Sequence, residues 1–107
     1  MATLTEKVYK YAMIPLIAYI GGDLTNSQEQ RIYYKKPSGI TGYWSAVIYD
    51  AIGGKITYET NETDFDETGT WILQGWETDE FGRVNFGQAY SLKINTIPTW
   101  VDESSSI

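Results

Sequence analysis

The stretch Glu67-Thr-Gly-Thr-Trp71-Ile-Leu73 is the most specific structural signal in the 107-residue chain. An acidic residue followed two positions later by a glycine allows the backbone to reverse direction. An aromatic ring two residues after the glycine can pack back over the turn, and the side chain two positions further points into a core. The spacing therefore predicts a corner that leads into a strand, with Trp71 buried over the turn beside Trp44.

On both sides of this corner, apolar and polar residues alternate over short segments that turn residues separate, and no helical period persists. The segments are rich in β-branched and aromatic residues. This pattern predicts an all-β fold, an antiparallel β-sandwich of about seven strands. The predicted strands cover 12–20, 31–36, 43–49, 55–59, 70–78 and 84–94. Pro15 places the first of them at a sheet edge or a bend, and the last is broken near Gly87.

The corner resembles the one that precedes strand F of immunoglobulin-like domains. Trp71 and Leu73 occupy the positions of the corner tyrosine and the second cysteine, and Trp44 occupies that of the strand C tryptophan. Because the chain has no cysteine, apolar residues must replace the disulfide, and we expect Ile32 or Tyr34 to face Leu73. The predicted core residues are Trp44, Trp71, Leu73, Ile32, Tyr34 and Tyr58.

A longer series of motifs resembles the immunoglobulin-like domain of phage tail and baseplate proteins, similar to the N-terminal domain of baseplate upper proteins. The series covers roughly residues 16–94 and consists of Gly22-Asp-Leu-Thr25, Tyr34-Lys-Lys-Pro-Ser-Gly39, Gly42-Tyr-Trp-Ser-Ala46, Gly54-Lys-Ile-Thr-Tyr58 and Glu67-Thr-Gly-Thr-Trp71 with Gln74. Members of that family anchor receptor-binding or fibre components to the virion, or occur as small virion proteins. The resemblance implies a structural protein of a tailed-phage virion, in the tail, baseplate, neck or decoration layer. It also implies a homo- or hetero-oligomeric assembly with other virion structural proteins.

Composition excludes several kinds of chemistry. The chain has neither cysteine nor histidine, so thiol nucleophiles, zinc sites built from those residues and Ser-His-Asp triads are excluded. A net charge of −6 argues against a nucleic-acid partner, because binding to phosphates requires a basic surface. The longest apolar run, residues 11–20, is too short to cross a bilayer, so we interpret it as a strand and expect no membrane partner.

Charge is distributed unevenly along the chain. Residues 1–50 carry five basic and four acidic side chains, a net charge of +1. Residues 51–107 carry three basic and ten acidic side chains, a net charge of −7. Surfaces of unlike sign can dock copies of the chain on each other or on a neighbouring protein. The alternative is an acidic surface that is solvated and only aids solubility.

Five carboxylates lie between Glu59 and Glu67. Asp64 and Asp66 offer two of the oxygen ligands that Ca²⁺ requires, but the segment lacks the spacing and glycine of an EF-hand loop. Two carboxylates also serve glycoside hydrolysis when a cleft separates them, and a domain of this size rarely forms such a cleft. We therefore expect a solvated loop without a metal ion, and a protein without catalytic residues or a cofactor.

The aromatic residues, 15% of the chain, exceed what one small sandwich is expected to bury. Exposed rings beside polar residues indicate either a protein interface or a platform for carbohydrate. We expect a protein interface. The alternative function is a carbohydrate-binding immunoglobulin-like module in host-surface adhesion. The predicted interface residues are Trp100, Val101, Trp76, Phe81, Phe86 and Tyr9.

The chain is predicted to consist of one domain with two terminal arms. Residues 11–94 form the predicted sandwich, and residues 1–10 and 95–107 lack strand alternation. We expect both arms to bind neighbouring subunits, with the ring of Trp100 buried against another chain, as anchor aromatics are at interfaces.

Overall fold

The computed structural model describes residues 7–97. Within this range the chain forms nine strands and no helix, which confirms the predicted all-β fold. Seven strands have four residues or more, and the other two are short. The strands are β1 (Val8–Tyr9), β2 (Pro15–Tyr19), β3 (Glu29–Lys35), β4 (Thr41–Ser45), β5 (Val47–Asp50), β6 (Lys55–Glu59), β7 (Gly69–Thr78), β8 (Val84–Phe86) and β9 (Tyr90–Asn95).

The strands form two sheets that pack as a sandwich. The larger sheet has the order β1-β9-β7-β3-β4, with β8 also paired to β7, and the smaller sheet has the order β2-β6-β5. The described pairs are antiparallel, apart from the parallel pair of β1 and β9. These connections correspond to the G-F-C-C′ and B-E-D sheets of an immunoglobulin-like sandwich. β2 is an edge strand, one of the two placements that Pro15 predicted, but it begins at Pro15 and not at residue 12.

The segment predicted as one strand over 43–49 divides into two strands that belong to different sheets. β4 is an edge of the larger sheet and β5 is an edge of the smaller one. Ala46, between them, is buried, and its N–H donates to the carbonyl of Gln30 at 3.0 Å. Alternation is the same in either sheet, so the sequence period does not reveal where the chain crosses between them.

The core lies between the two sheets and uses the inward-facing positions of both. At Gly75 the sheets approach closely, because a Cβ there would lie 2.6 Å from Cδ1 of Ile20 and 3.1 Å from Cβ of Ala18. Glycine is required to let β7 sit this close to the smaller sheet. The core side chains that the strands contribute are Ile32, Trp71, Leu73 and Ile94 in the larger sheet and Leu16, Ala18 and Ile56 in the smaller.

The corner before β7 forms around Trp71 as predicted. Gly69 has a φ of +123°, a conformation that favours glycine. The ring of Trp71 is fully buried, and its Nε1 donates to the carbonyl of Glu67 at 2.9 Å. The ring centroid lies 6.3 Å from that of Trp44. Trp71 therefore packs over the preceding turn and beside Trp44.

Two details of the predicted core are wrong. Trp44 lies on the edge strand β4 and not on the central strand, because β3 takes the place next to β7; like Tyr34 and Tyr58, it is half-buried and packs against the core. Ile32 and Tyr34 do not face Leu73 from the other sheet: both lie on β3, and Tyr34 is paired with Leu73 across β3 and β7. Side chains of β2 and β6 supply the opposing layer of the core.

The sandwich begins earlier than the predicted boundary at residue 11. Val8 and Tyr9 pair with Ile94 and Asn95, and the N–H of Lys10 donates to the carbonyl of Asn95 at 2.9 Å. A strand of two residues is too short to show alternation, so β1 could not be predicted from the sequence pattern. The rest of the predicted arms, residues 1–6 and 98–107, lies outside the described residues.

Replacing Trp71 with alanine should lower the free energy of unfolding by about 3–5 kcal/mol, because it removes a large ring from the core. Denaturant unfolding followed by circular dichroism measures the change. Ile72→Ala, on the exposed side of the same strand, is the matched control and should cost less than about 1 kcal/mol. Equal losses for the two variants would contradict the role of the corner.

Candidate functional site

The outer face of the larger sheet carries aromatic side chains arranged around one cation. These residues alternate along their strands with the buried positions of the core. Strand pairing places Tyr33 opposite Tyr43, Arg31 opposite Trp76, and Trp76 opposite Phe86. We call these five residues the aromatic face. Four strands that are not all consecutive in sequence therefore contribute to a single surface.

Arg31 holds the aromatic face together. Its guanidinium lies 4.2 Å from the ring centroid of Tyr43 and 4.4 Å from that of Trp76. Nη1 donates to the hydroxyl of Tyr33 at 2.8 Å, and Nε donates to the carboxylate of Glu29 at 2.8 Å. The bond to Tyr33, and after it the pair with Glu29, raises the pKa of Arg31 although desolvation opposes the change. The cation is thus fixed in position and permanently charged.

The prediction that Trp76 is an exposed interface residue is wrong. The side chain points to the outer face, but it is only 8% exposed because Arg31 and its neighbours cover the ring. Tyr43 and Phe86 remain exposed, at 45% and 58%. Arg31 was not among the predicted interface residues. The available signal was its position two residues before Tyr33, which places both side chains on the same face of β3.

The other predicted interface residues do not belong to this surface. Phe81 lies in the turn between β7 and β8 and is 72% exposed, and Tyr9 is exposed on β1. Trp100 and Val101 lie outside the described residues. Among the described candidates, only Trp76 and Phe86 are brought together.

A second distinctive surface lies at one end of the sandwich, where three loops meet. The loop of residues 20–28 contacts the β5–β6 turn through a hydrogen bond from the N–H of Leu24 to the carbonyl of Ala51. It contacts the β7–β8 turn through a bond from Nε2 of Gln28 to the carbonyl of Glu80. A cleft of about 220 Å³ lies between the first loop and the β7–β8 turn. We call this surface the acidic end; its carboxylates are Asp23, Asp50, Glu77, Asp79 and Glu80.

Hydrogen bonds keep two of these carboxylates ionised. The hydroxyl and the N–H of Thr25 lower the pKa of Asp23. Desolvation raises the pKa of Asp79. Hydrogen bonds from the N–H groups of Arg83 and Phe81 and from the guanidinium of Arg83 lower that pKa by a larger amount, so its net shift is downward. Asp23 and Asp79 therefore keep their negative charge at a lower pH than ordinary aspartates do.

The acidic segment before the corner differs from the predicted solvated loop at Asp64. The carboxylate of Asp64 accepts hydrogen bonds from Nε1 of Trp44 at 3.1 Å, from the hydroxyl of Tyr58 at 2.7 Å and from the N–H of Asn61 at 2.8 Å. Burial, together with the bond to Asp64, raises the pKa of Tyr58 to about 12. Asp64 is a structural acceptor because the polar edges of two core rings need a partner.

The next two acidic residues also make specific contacts, Asp66 from an exposed position and Glu67 from a half-buried one. Asp66 pairs with Nζ of Lys36 at 3.0 Å, and the carboxylate of Glu67 accepts from the N–H and the hydroxyl of Ser38. These contacts join the β3–β4 turn to the corner. Within residues 7–97, no group of three or more acidic side chains is arranged to hold a metal ion.

Comparisons of the chain with protein-family models, with curated proteins and with solved structures found no match. In the described part of the chain, no helix is long and apolar enough to span a membrane. Function must therefore be argued from the surfaces themselves.

Replacing Asp64 with alanine should lower the free energy of unfolding by about 2–3 kcal/mol, because Trp44 and Tyr58 lose a charged acceptor. Asp66→Ala is the matched control: it removes a carboxylate two residues away whose ion pair is exposed, and should cost less than about 1 kcal/mol. Chemical denaturation measures both. If Asp64 were only a solvated surface residue, both variants would lose the same small amount of unfolding free energy.

Arg31→Ala should make Trp76 accessible to acrylamide, and tryptophan fluorescence should be quenched more strongly, because the guanidinium no longer covers the ring. Lys35→Ala, further along the same face of β3, should leave quenching unchanged. In a Trp76→Phe background the effect of Arg31→Ala should disappear. Unchanged quenching in the wild-type background would show that Arg31 does not cover Trp76.

Proposed function

We propose that the chain is a structural, non-catalytic component of a tailed-phage virion and acts through protein–protein contacts. The observation that carries the proposal is the aromatic face, in which Arg31 fixes Tyr33, Tyr43 and Trp76 while Tyr43 and Phe86 stay exposed. Tyrosine, tryptophan and arginine are the residues that contribute most to binding at protein interfaces. Side chains that are already held in place lose little conformational entropy when a partner binds.

The assignment to a phage virion rests on the motif resemblance, and the fold supports it. Several of the resembling segments contact each other. Ser38 and Glu67 are joined by two hydrogen bonds, and the segments that begin at Gly22 and Gly54 lie against each other at the acidic end. The resemblance therefore involves residues that build the sandwich and its corner. We propose that the chain is located in the virion, within the tail, baseplate, neck or decoration layer.

The carboxylates support a non-catalytic role. Asp64 accepts from two core rings, Asp79 from a turn and its arginine, and Asp66 pairs with Lys36. Each of these groups is thus engaged in maintaining the fold. Acid–base catalysis by a carboxylate pair needs groups that are free to exchange protons with a substrate.

Carbohydrate binding is the second candidate function, because Tyr43 and Phe86 expose rings on one sheet. It has less support than a protein interface. Arg31 covers the ring of Trp76, which is only 8% exposed, and lies over one side of Tyr43, so the face does not present a row of free rings on which a sugar could stack.

The test is incorporation into particles of the phage that encodes the chain. Wild-type protein should be found in purified particles, and Tyr43→Ser/Phe86→Ser should be depleted at least about tenfold, because the variant loses two contact residues. Val47→Ser/Tyr49→Ser removes exposed apolar side chains from the smaller sheet and should be incorporated normally. Circular dichroism checks that all variants fold.

Two results would contradict the proposal. One is the absence of the wild-type chain from purified particles. The other is binding of the wild-type chain to a glycan that Tyr43→Ser/Phe86→Ser abolishes while leaving incorporation intact, which would support the carbohydrate-binding module instead.

A further inference from the structure

The outer face of the larger sheet has a positive charge although the chain as a whole is acidic. Among the described residues, three basic side chains project from the strands of this face, on β3 and β9. One acidic side chain, that of Glu29, projects from the same strands. Arg31 lies at the centre of the aromatic face, and Lys35 and Lys93 are exposed on either side of β7. This surface therefore combines aromatic rings with a basic margin.

The acidic end has the opposite charge and projects apolar side chains. Glu77 is buried there, but the other four carboxylates, those of Asp23, Asp50, Asp79 and Glu80, still outnumber the two basic residues, Lys55 and Arg83. Phe81, at the tip of one turn, is 72% exposed, and Ile52, at the tip of another, is 81% exposed. Two protruding apolar side chains beside carboxylates are the chemical complement of a flat aromatic surface that has lysines along one margin, toward the Gly69 end of β7.

We propose that the aromatic face binds the acidic end of a second copy of this chain. The inference rests on the proposed function, in which the aromatic face is a protein interface, and it names the partner. In this arrangement Phe81 and Ile52 contact the exposed rings of Tyr43 and Phe86. Glu80 of one copy is attracted electrostatically by Lys35 and Lys93 of the other. The two surfaces share no residue, so each copy binds one neighbour by its face and another by its end.

Such a contact is heterologous. It generates a ring if the rotation between successive copies closes, and a linear array if it does not. Either product suits a protein that forms a repeated layer of a particle. The arrangement differs from a twofold dimer, in which the same patch would meet itself and the basic margins would repel.

The available area sets the strength of the contact. Ten residues of β7 at about 3.3 Å each, and five strands about 4.8 Å apart, make a face of roughly 30 by 20 Å. This is somewhat less than the surface that each partner contributes to an interface of standard size, so the association of isolated chains should be weak. Charge complementarity at exposed positions makes it sensitive to salt.

Sedimentation of the full chain tests the proposal. The weight-average mass of the wild type should rise with concentration, and the dissociation constant should increase at least about tenfold between low and high salt. The face variant, Lys35→Glu/Lys93→Glu, and the end variant, Ile52→Lys/Glu80→Lys, should each self-associate at least about tenfold more weakly than wild type, because each places like charges opposite one another.

An equimolar mixture of the two variants is the decisive sample. The reversed face of one variant now complements the reversed end of the other, so association should return in the mixture. Both variants keep a negative net charge, which means that overall attraction between the two proteins cannot produce this result. Replacing Phe81 with serine in the wild-type chain should also weaken self-association, through loss of the apolar contact.

Three outcomes overturn the proposal. They are a wild-type chain that stays monomeric at every concentration and salt, variants that self-associate as the wild type does, and a mixture that fails to associate. If the chain is monomeric and Tyr43→Ser/Phe86→Ser still loses incorporation into particles, the partner of the aromatic face is a different protein. The proposed function then stands without the self-contact.

Discussion

Burial of the Trp71 ring is the interaction on which the rest of the sandwich depends. Its Nε1 bond to the carbonyl of Glu67 fixes the corner, and its ring lies 5.1 Å from Phe65 and 5.7 Å from Tyr34. One side chain thus joins the loop before the corner to the strands after it. Because Trp71 is fixed in the core, the direction and alternation of β7 are fixed as well.

The aromatic face follows from that alternation. With Leu73 directed inward on β7 and Ile32 inward on β3, Trp76 and Arg31 must project outward, and strand pairing makes them neighbours. Arg31 then shields a large ring that would otherwise be exposed. Arg31 therefore limits the exposed apolar area of the aromatic face and also gives that face a positive charge. The outer face of the smaller sheet differs, because there Ile17 and Val47 flank Thr57.

Acidic residues have two separate roles in this protein. Near the corner they are structural, since Asp64 satisfies the polar edges of Trp44 and Tyr58. At the acidic end Asp23 and Asp79 cap turns and remain ionised, and exposed Glu80 adds to the local charge. The net charge of the chain does not distinguish these two roles. The proposed contact between copies uses only the second group, so it leaves the corner undisturbed.

The all-β class, the corner at Trp71 and the break near Gly87 could be predicted from sequence, because turn chemistry and alternation are local properties. The change of sheet at Ala46, the covering of Trp76 and the structural role of Asp64 arise only when the strands pair and pack. Each of these outcomes depends on partners distant in sequence: Gln30 for Ala46, Arg31 for Trp76, and Trp44 for Asp64. A local period specifies which way a side chain points, but only the pairing of strands specifies what it meets.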